Sequence, residues 1–275
     1  ETGDLQVEYK EFDGQESDES AKRIMAVELT YRLPNNTRPI KYDLWVLTDV
    51  EKGISNFTGR VNIKILAVEE TDYVILQYRE TIIDTVELLE GNVRTIINST
   101  YELPLEYEFL RIPLPRQMKV NETFEIEINY HGELHYAYQN GFYRANYTDE
   151  FTNELVWYAT TKFEPHHARH LFPCYDEPQI RAPITLSVQH DKNYKTFANM
   201  PRINETVVDT DYVISYFEES PPMQTYLLAF LTSAFDHVSN GAEDIEQRIF
   251  AKPQSIREGA ADYSARICGS ILYKL

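Results

Sequence analysis

The chain has only two cysteines, Cys174 and Cys268, in 275 residues. A chain this long, 43% hydrophobic, buries about 70–75% of the surface that its unfolded form exposes, so it needs no disulfide scaffold to fold. Basic residues are also scarce. Lys and Arg number 26 against 44 Asp and Glu, a formal net charge of -18, which repels a phosphate backbone or an anionic membrane surface and excludes nucleic acid as a partner. No apolar run approaches the roughly 18–20 residues that span a bilayer, and no charged-then-apolar leader opens the chain. The opening therefore reads as the start of a mature protein, with Glu1-Thr2-Gly3 resembling a remnant of vector processing. The cysteines leave two readings open: free thiols acting as small hydrophobes, or a pair, which needs Cα atoms within about 7 Å.

What is abundant points outward and to strands. Asn35, Asn56, Asn98, Asn121, Asn146 and Asn204 each open an N-x-S/T sequon with no Pro in the middle. Six along one chain indicate a glycosylated, secreted or cell-surface protein. Residues 1–25 are acidic, lack an apolar period and read as a mobile lead-in. Beyond them apolar residues alternate: Ile40, Tyr42, Leu44 and Val46; then Phe57, Gly59, Val61, Ile63 and Ile65; later Phe124, Ile126, Ile128 and Tyr130. Period two is the mark of half-buried strands. Val74-Ile75-Leu76 and Phe109 to Leu114 add more apolar strands. Gly91-Asn92, Pro113 to Pro115, Asn140-Gly141 and Pro221-Pro222 read as turns. The 20 tyrosines suit a β-rich surface, where a ring packs and its hydroxyl stays wet.

The period changes once. After Phe250-Ala251-Lys252-Pro253, apolar Ile256, Ala260, Tyr263, Ile267 and Ile271 recur at helical spacing, with Ser255 as the expected N-cap. That predicts one C-terminal amphipathic helix with an apolar stripe and no stop signal, the look of a truncated chain that lacks a partner domain.

The densest pattern is Phe163-Glu164-Pro165, then Ala168-Arg169, then Phe172-Pro173-Cys174-Tyr175-Asp176-Glu177-Pro178. It resembles the FEPxxAR…FPCFDEP signature of the zinc aminopeptidases of the aminopeptidase N family. Tyr42-Asp43-Leu44, Gly141-Phe142-Tyr143-Arg144 (taken as a turn) and Met223-Gln224-Thr225-Tyr226-Leu227-Leu228-Ala229-Phe230 follow in the family's order, so nearly everything after Leu33 is covered. Within that family the chain resembles the insect midgut alanyl members, those of anopheline mosquitoes included.

The resemblance implies a mainly β fold: a saddle-shaped, β-sandwich-like N-terminal domain over 26–249, with 250–275 starting a thermolysin-like catalytic domain at its first helix. It implies a parent enzyme that uses zinc to remove neutral N-terminal residues from peptides, held on the extracellular face of the plasma membrane by a C-terminal lipid anchor. Glu164 would accept hydrogen bonds from the substrate's α-ammonium. Many relatives carry Gln two residues earlier, where this chain has Lys162, a cation that would orient Glu164 or repel a basic first residue. Cys174 falls where the family holds an unpaired Cys. The family's catalytic motif, H-E-x-x-H, is missing from this sequence, as is the GAMEN-type loop. No catalytic residue, zinc ligand or cofactor is therefore expected here, and the chain itself is expected to be inactive.

Other constellations are weaker. Glu164, His166 and His170 could be drawn together as a metal site, but spacing alone, with no helix and no third matching ligand, favours surface packing. The family usually carries Thr, Asp and Arg in place of His166, His167 and His170. Cys174, flanked by Pro173 and Tyr175, lacks the base or cation a reactive thiol needs. Asp176 and Glu177 point to opposite sides of an extended segment, so they read as ion-pair partners of Arg169 rather than paired catalytic acids. A competing class is a glycosylated extracellular binding module, with protein ligands or antibodies as partners and no catalytic role.

Overall fold

The computed structural model describes residues 31–102, 108–136, 139–242 and 245–272. The lead-in expected over 1–25 lies outside the described residues. In chain order the strands are β1 (Thr37–Thr48), β2 (Asn56–Ala67), β3 (Thr71–Gln77), β4 (Thr81–Glu90), β5 (Val93–Ile96), β6 (Tyr101–Glu102), β7 (Phe109–Met118), β8 (Thr123–Glu133) and β9 (Gly141–Thr148). Next come β10 (Leu155–Lys162), β11 (Ile184–Asp191), β12 (Lys195–Ala198), β13 (Arg202–Val207), β14 (Tyr212–Phe217), β15 (Phe230–Ser233), β16 (Asp236–Ala242) and β17 (Ile245–Ala251). Two helices follow, α1 (Pro253–Arg257) and α2 (Asp262–Leu272). The protein is mainly β, as the alternation predicts.

The largest sheet has eight strands in the order β13-β14-β11-β1-β2-β8-β4-β5, antiparallel except where β1 runs parallel to β11. Its centre shows why period two works. In β2 and β8, Val61 faces Ile128 and Ile63 faces Ile126, all fully buried, while Asn62 and Glu125 hydrogen bond on the other face (3.1 Å). Full burial of each aliphatic side chain contributes about 1.5–3 kcal/mol. Gly59 is required here, because a Cβ would lie 2.3 Å from the Tyr130 ring. Three smaller sheets complete the fold: β12-β15-β10-β9, β3-β7-β6 and the hairpin β16-β17. One hydrophobic cluster draws on the eight-, four- and three-stranded sheets.

Four expectations change. Ile40 is exposed although it continues the Tyr42, Leu44, Val46 series, because the pairing of β1 with β2 slips between Pro39 and Lys41 and the extra residue turns outward. Pro113 to Pro115 lies inside β7 rather than in a turn; the pairing with β3 jumps there from Tyr73↔Pro113 to Thr71↔Met118, so the missing N–H groups fall at an irregularity. Gly141 to Arg144 opens β9 instead of forming a turn.

The C-terminal helix is two. Gly259, at φ 74°, adopts the left-handed conformation that ends a helix, and its N–H closes on the Ile256 carbonyl (3.1 Å). Pro253 opens α1 with Lys252 at the N-cap, so Ser255 sits inside the helix. The break rotates the stripe: Ala261 and Ala265 are buried, whereas Ala260 and Tyr263 are exposed. Helix α2 packs on β16 and β17. The side chain of Ile271 lies outside the described residues.

Candidate functional site

The signature segment leaves the end of β10 and runs between elements of different sheets. Lys162 closes β10 opposite Gly141. The chain then alternates: Lys162 exposed, Phe163 buried, Glu164 exposed. Both charged side chains therefore lie on the solvent side of an anchored phenyl ring, and Lys162 sits two positions from Glu164 as the period-two geometry requires. Glu164-Pro165 is a cis peptide. The Glu164 carboxylate has no hydrogen-bond or ion-pair partner among the described residues, nor does the Lys162 ammonium. A 3-10 turn over Ala168–His170 follows directly, tied back by the His167 N–H to the Phe163 carbonyl at 2.7 Å.

Leu171 to Glu177 are buried, and Pro178 returns to the surface. Phe172 packs edge-on against Tyr42 of β1, with ring centroids 6.0 Å apart. Tyr175 N–H donates to the Tyr42 hydroxyl (3.1 Å), and the Tyr175 hydroxyl donates to Thr37 Oγ1 (2.9 Å). Cys174 exchanges two backbone hydrogen bonds with Gln77 of β3 (2.9 and 3.0 Å). Burial, reinforced by the charge of Asp176, pushes the Cys174 thiol well up, so it is an inert packing thiol. Cys174 and Cys268 are both free.

Buried charge holds this frame. Arg169 Nε donates to Asp176 Oδ2 (3.0 Å), and its Nη1 donates to Glu108 Oε2 (2.8 Å). Glu108 in turn accepts from Arg79. Thr225 Oγ1 donates to the other Asp176 oxygen at 2.6 Å. Burial works to raise the Glu108 carboxyl, but hydrogen bonds from Arg169 and Arg79 outweigh it and hold the group below the ordinary carboxylate range. Arg169 thus pairs with Asp176 as expected but not with Glu177. The Glu177 carboxylate instead accepts from nearby Gln179 (3.0 Å) and from Leu33 N–H (2.7 Å) and Arg32 (3.1 Å), the last two being chain-distant groups that sequence proximity does not reveal.

The trio Glu164, His166 and His170 does not assemble. His166 is exposed and stacks on His167, with ring centroids 4.7 Å apart. His170 turns inward to Glu80, in the turn between β3 and β4, and His135, just past β8, meets the same carboxylate. Sequence reasoning missed Glu80 and His135, and no spacing could have found them. Glu80 and Glu108 both have left-handed backbones, φ 60° and 55°, a conformation that non-glycine residues seldom adopt and that marks positions held by their surroundings. Each of these acids accepts from a residue of the Ala168–His170 turn.

Among the sequon asparagines, Asn35, Asn56, Asn98, Asn121 and Asn204 are exposed, and Asn146 is half-buried with its amide on the Tyr136 hydroxyl (3.3 Å).

A mainly β domain that freezes such a signature behind an exposed acid defines a class, and comparison with known proteins supplies its family. Residues 38–227 match the peptidase M1 N-terminal domain, and the chain belongs to that family. Aminopeptidase N of Homo sapiens is 32% identical over 259 residues, covering 88% of this chain and 26% of the relative. Aminopeptidase N of Bos taurus is 31% identical over 255 residues, with the same coverage. Glutamyl aminopeptidase of Bos taurus is 32% identical over 249 residues, covering 88% of this chain and 25% of the relative. The chain spans about a quarter of the length of these curated relatives.

Proposed function

We propose that this chain is the substrate-reading N-terminal domain of a zinc metalloaminopeptidase, in which Glu164 binds the α-ammonium of a peptide's first residue. The single observation that carries this is the contrast around Glu164: an exposed carboxylate with no partner among the described residues, on a segment whose following acids are buried and paired. A charge-assisted bond from an ammonium to that carboxylate contributes about 1.5–3 kcal/mol, which selects free over blocked N-termini. Lys162 beside it disfavours a basic first residue, in keeping with neutral substrates.

The family's catalytic zinc does not fit this chain's own residues, because the sequence contains no H-E-x-x-H. The chain alone does not hydrolyse peptides. The parent acts outside the cell. The sequons are exposed or half-exposed, which supports glycosylation; a lipid anchor and an insect gut setting rest on the resemblance alone. No helix among the described residues is long and apolar enough to cross a membrane.

In the full-length enzyme, Glu164→Ala lowers kcat/KM for free-amine aminoacyl substrates by about 10- to 150-fold, the bond energy above converted to rate. An unchanged kcat/KM removes Glu164 from the site. For the isolated chain, zinc-dependent turnover of an aminoacyl chromophore that survives removal of contaminating peptidases overturns the inactivity.

A further inference from the structure

The cluster of Glu80, His135 and His170 is a set of metal-ligating groups that the proposed function does not use. Their ligand atoms, one per residue, all lie within 4.8 Å of one another. His135 Nε2 is 2.8 Å from Glu80 Oε2, and His170 Nδ1 is 2.9 Å from that same oxygen. The arrangement of His135 is the informative part. Its Nδ1 lies 2.9 Å from the Asn140 carbonyl, and a carbonyl only accepts, so Nδ1 carries the hydrogen. In the neutral ring Nε2 is then a lone pair aimed at a carboxylate oxygen, two acceptors face to face. That contact is satisfied only by a cation between them, a proton or a metal ion.

We propose that Glu80, His135 and His170 bind one divalent transition-metal ion of the zinc type, which clips the Ala168–His170 turn to the β3–β4 turn and to the segment just past β8. Two imidazoles and a carboxylate are a donor set for zinc rather than for calcium, which takes six to eight oxygens. Tetrahedral zinc places its ligand atoms about 3.3 Å apart, given bonds of about 2.0–2.1 Å, so the two contacts to Glu80 need to open by only about 0.5 Å, while the two imidazole ligand atoms, within 4.8 Å of each other, settle to the same spacing. Supporting groups are in position. Asn140 orients the His135 ring, and His167 Nδ1 stands 3.4 Å from His170 Nε2, on the side of the ring away from Glu80. Glu80 is 43% exposed, which leaves the fourth position open to solvent. Gly141 makes the approach possible: a Cβ there would lie 2.9 Å from that of His170.

Zinc titration of the chelator-stripped 275-residue chain, followed by calorimetry, tests this. The expected result is one zinc bound per chain, with His135→Ala and Glu80→Gln each weakening binding at least tenfold, His166→Ala leaving it unchanged, and calcium failing to compete. Thermal melts show the ion raising the Tm of the parent protein but not of Glu80→Gln, a near-isosteric change that keeps the test valid even where His135→Ala unfolds. No saturable zinc binding by the parent, or Glu80→Gln binding zinc as the parent does, overturns the proposal.

Discussion

Glu164 and Asp176 are acids of one signature, yet they meet opposite surroundings. Asp176 is almost wholly buried and fully bonded, to Arg169 on one oxygen and Thr225 on the other, while Glu164 faces solvent without a partner among the described residues. A buried carboxylate is tolerated only when paired, and that pairing uses up its capacity to bind anything else. An exposed one contributes little to stability and keeps its lone pairs for a ligand. Within one segment, then, the buried half positions and the exposed half is left to recognise.

Three changes separate the two halves. Asp176→Ala strands the Arg169 guanidinium beside a vacated partner and is expected to cost about 3–5 kcal/mol, read as a shift in urea midpoint; a loss below about 1 kcal/mol would mean that the ion pairs do not hold the frame. The next effect is on acid stability. The folded pKa of Glu108 is held below its unfolded value, so its contribution is complete above the unfolded value of about 4.3 and is lost as pH falls through the depressed folded one. Glu108→Gln should therefore flatten the fall in stability between about pH 5 and pH 3, measured by denaturant melts across that range. An acid limb as steep in the variant as in the parent contradicts the assignment. The smallest effect belongs to Glu164→Ala, which should move stability by no more than about 0.5 kcal/mol, even though the same change is expected to impair turnover. A large destabilisation would make Glu164 part of the frame and dissolve the contrast.

Much of the fold could be read in advance because β2 and β8 pass through the middle of a sheet with one face buried, where each residue's side is set by its neighbours two positions away. The reading failed where a local event broke that count. The slip at Pro39 turned Ile40 outward, the prolines of β7 sat in an irregular ladder, and Gly259 split the helix and moved its buried face to Ala261 and Ala265. Each failure turns on one residue's backbone, which periodicity averages over. The candidate site divides similarly. The motif drew attention to Glu164 and Arg169, and to Cys174 as an unreactive thiol, but the partners of the charged groups came from elsewhere: Glu108 for Arg169, Arg32 and the Leu33 amide for Glu177, Glu80 and His135 for His170.

By itself the sequence determined the β class, through period-two burial, and the family, through a signature that few arrangements of residues could imitate. The surplus of acid over base was also there to be counted. Only the tertiary structure decided which acids are spent on holding the protein together and which remain free, because that depends on loops converging from strands far apart in the chain. Burial and pairing are properties of the assembled sheets: a carboxylate acquires its role from the dielectric and the donors around it, and neither is written in its immediate neighbours.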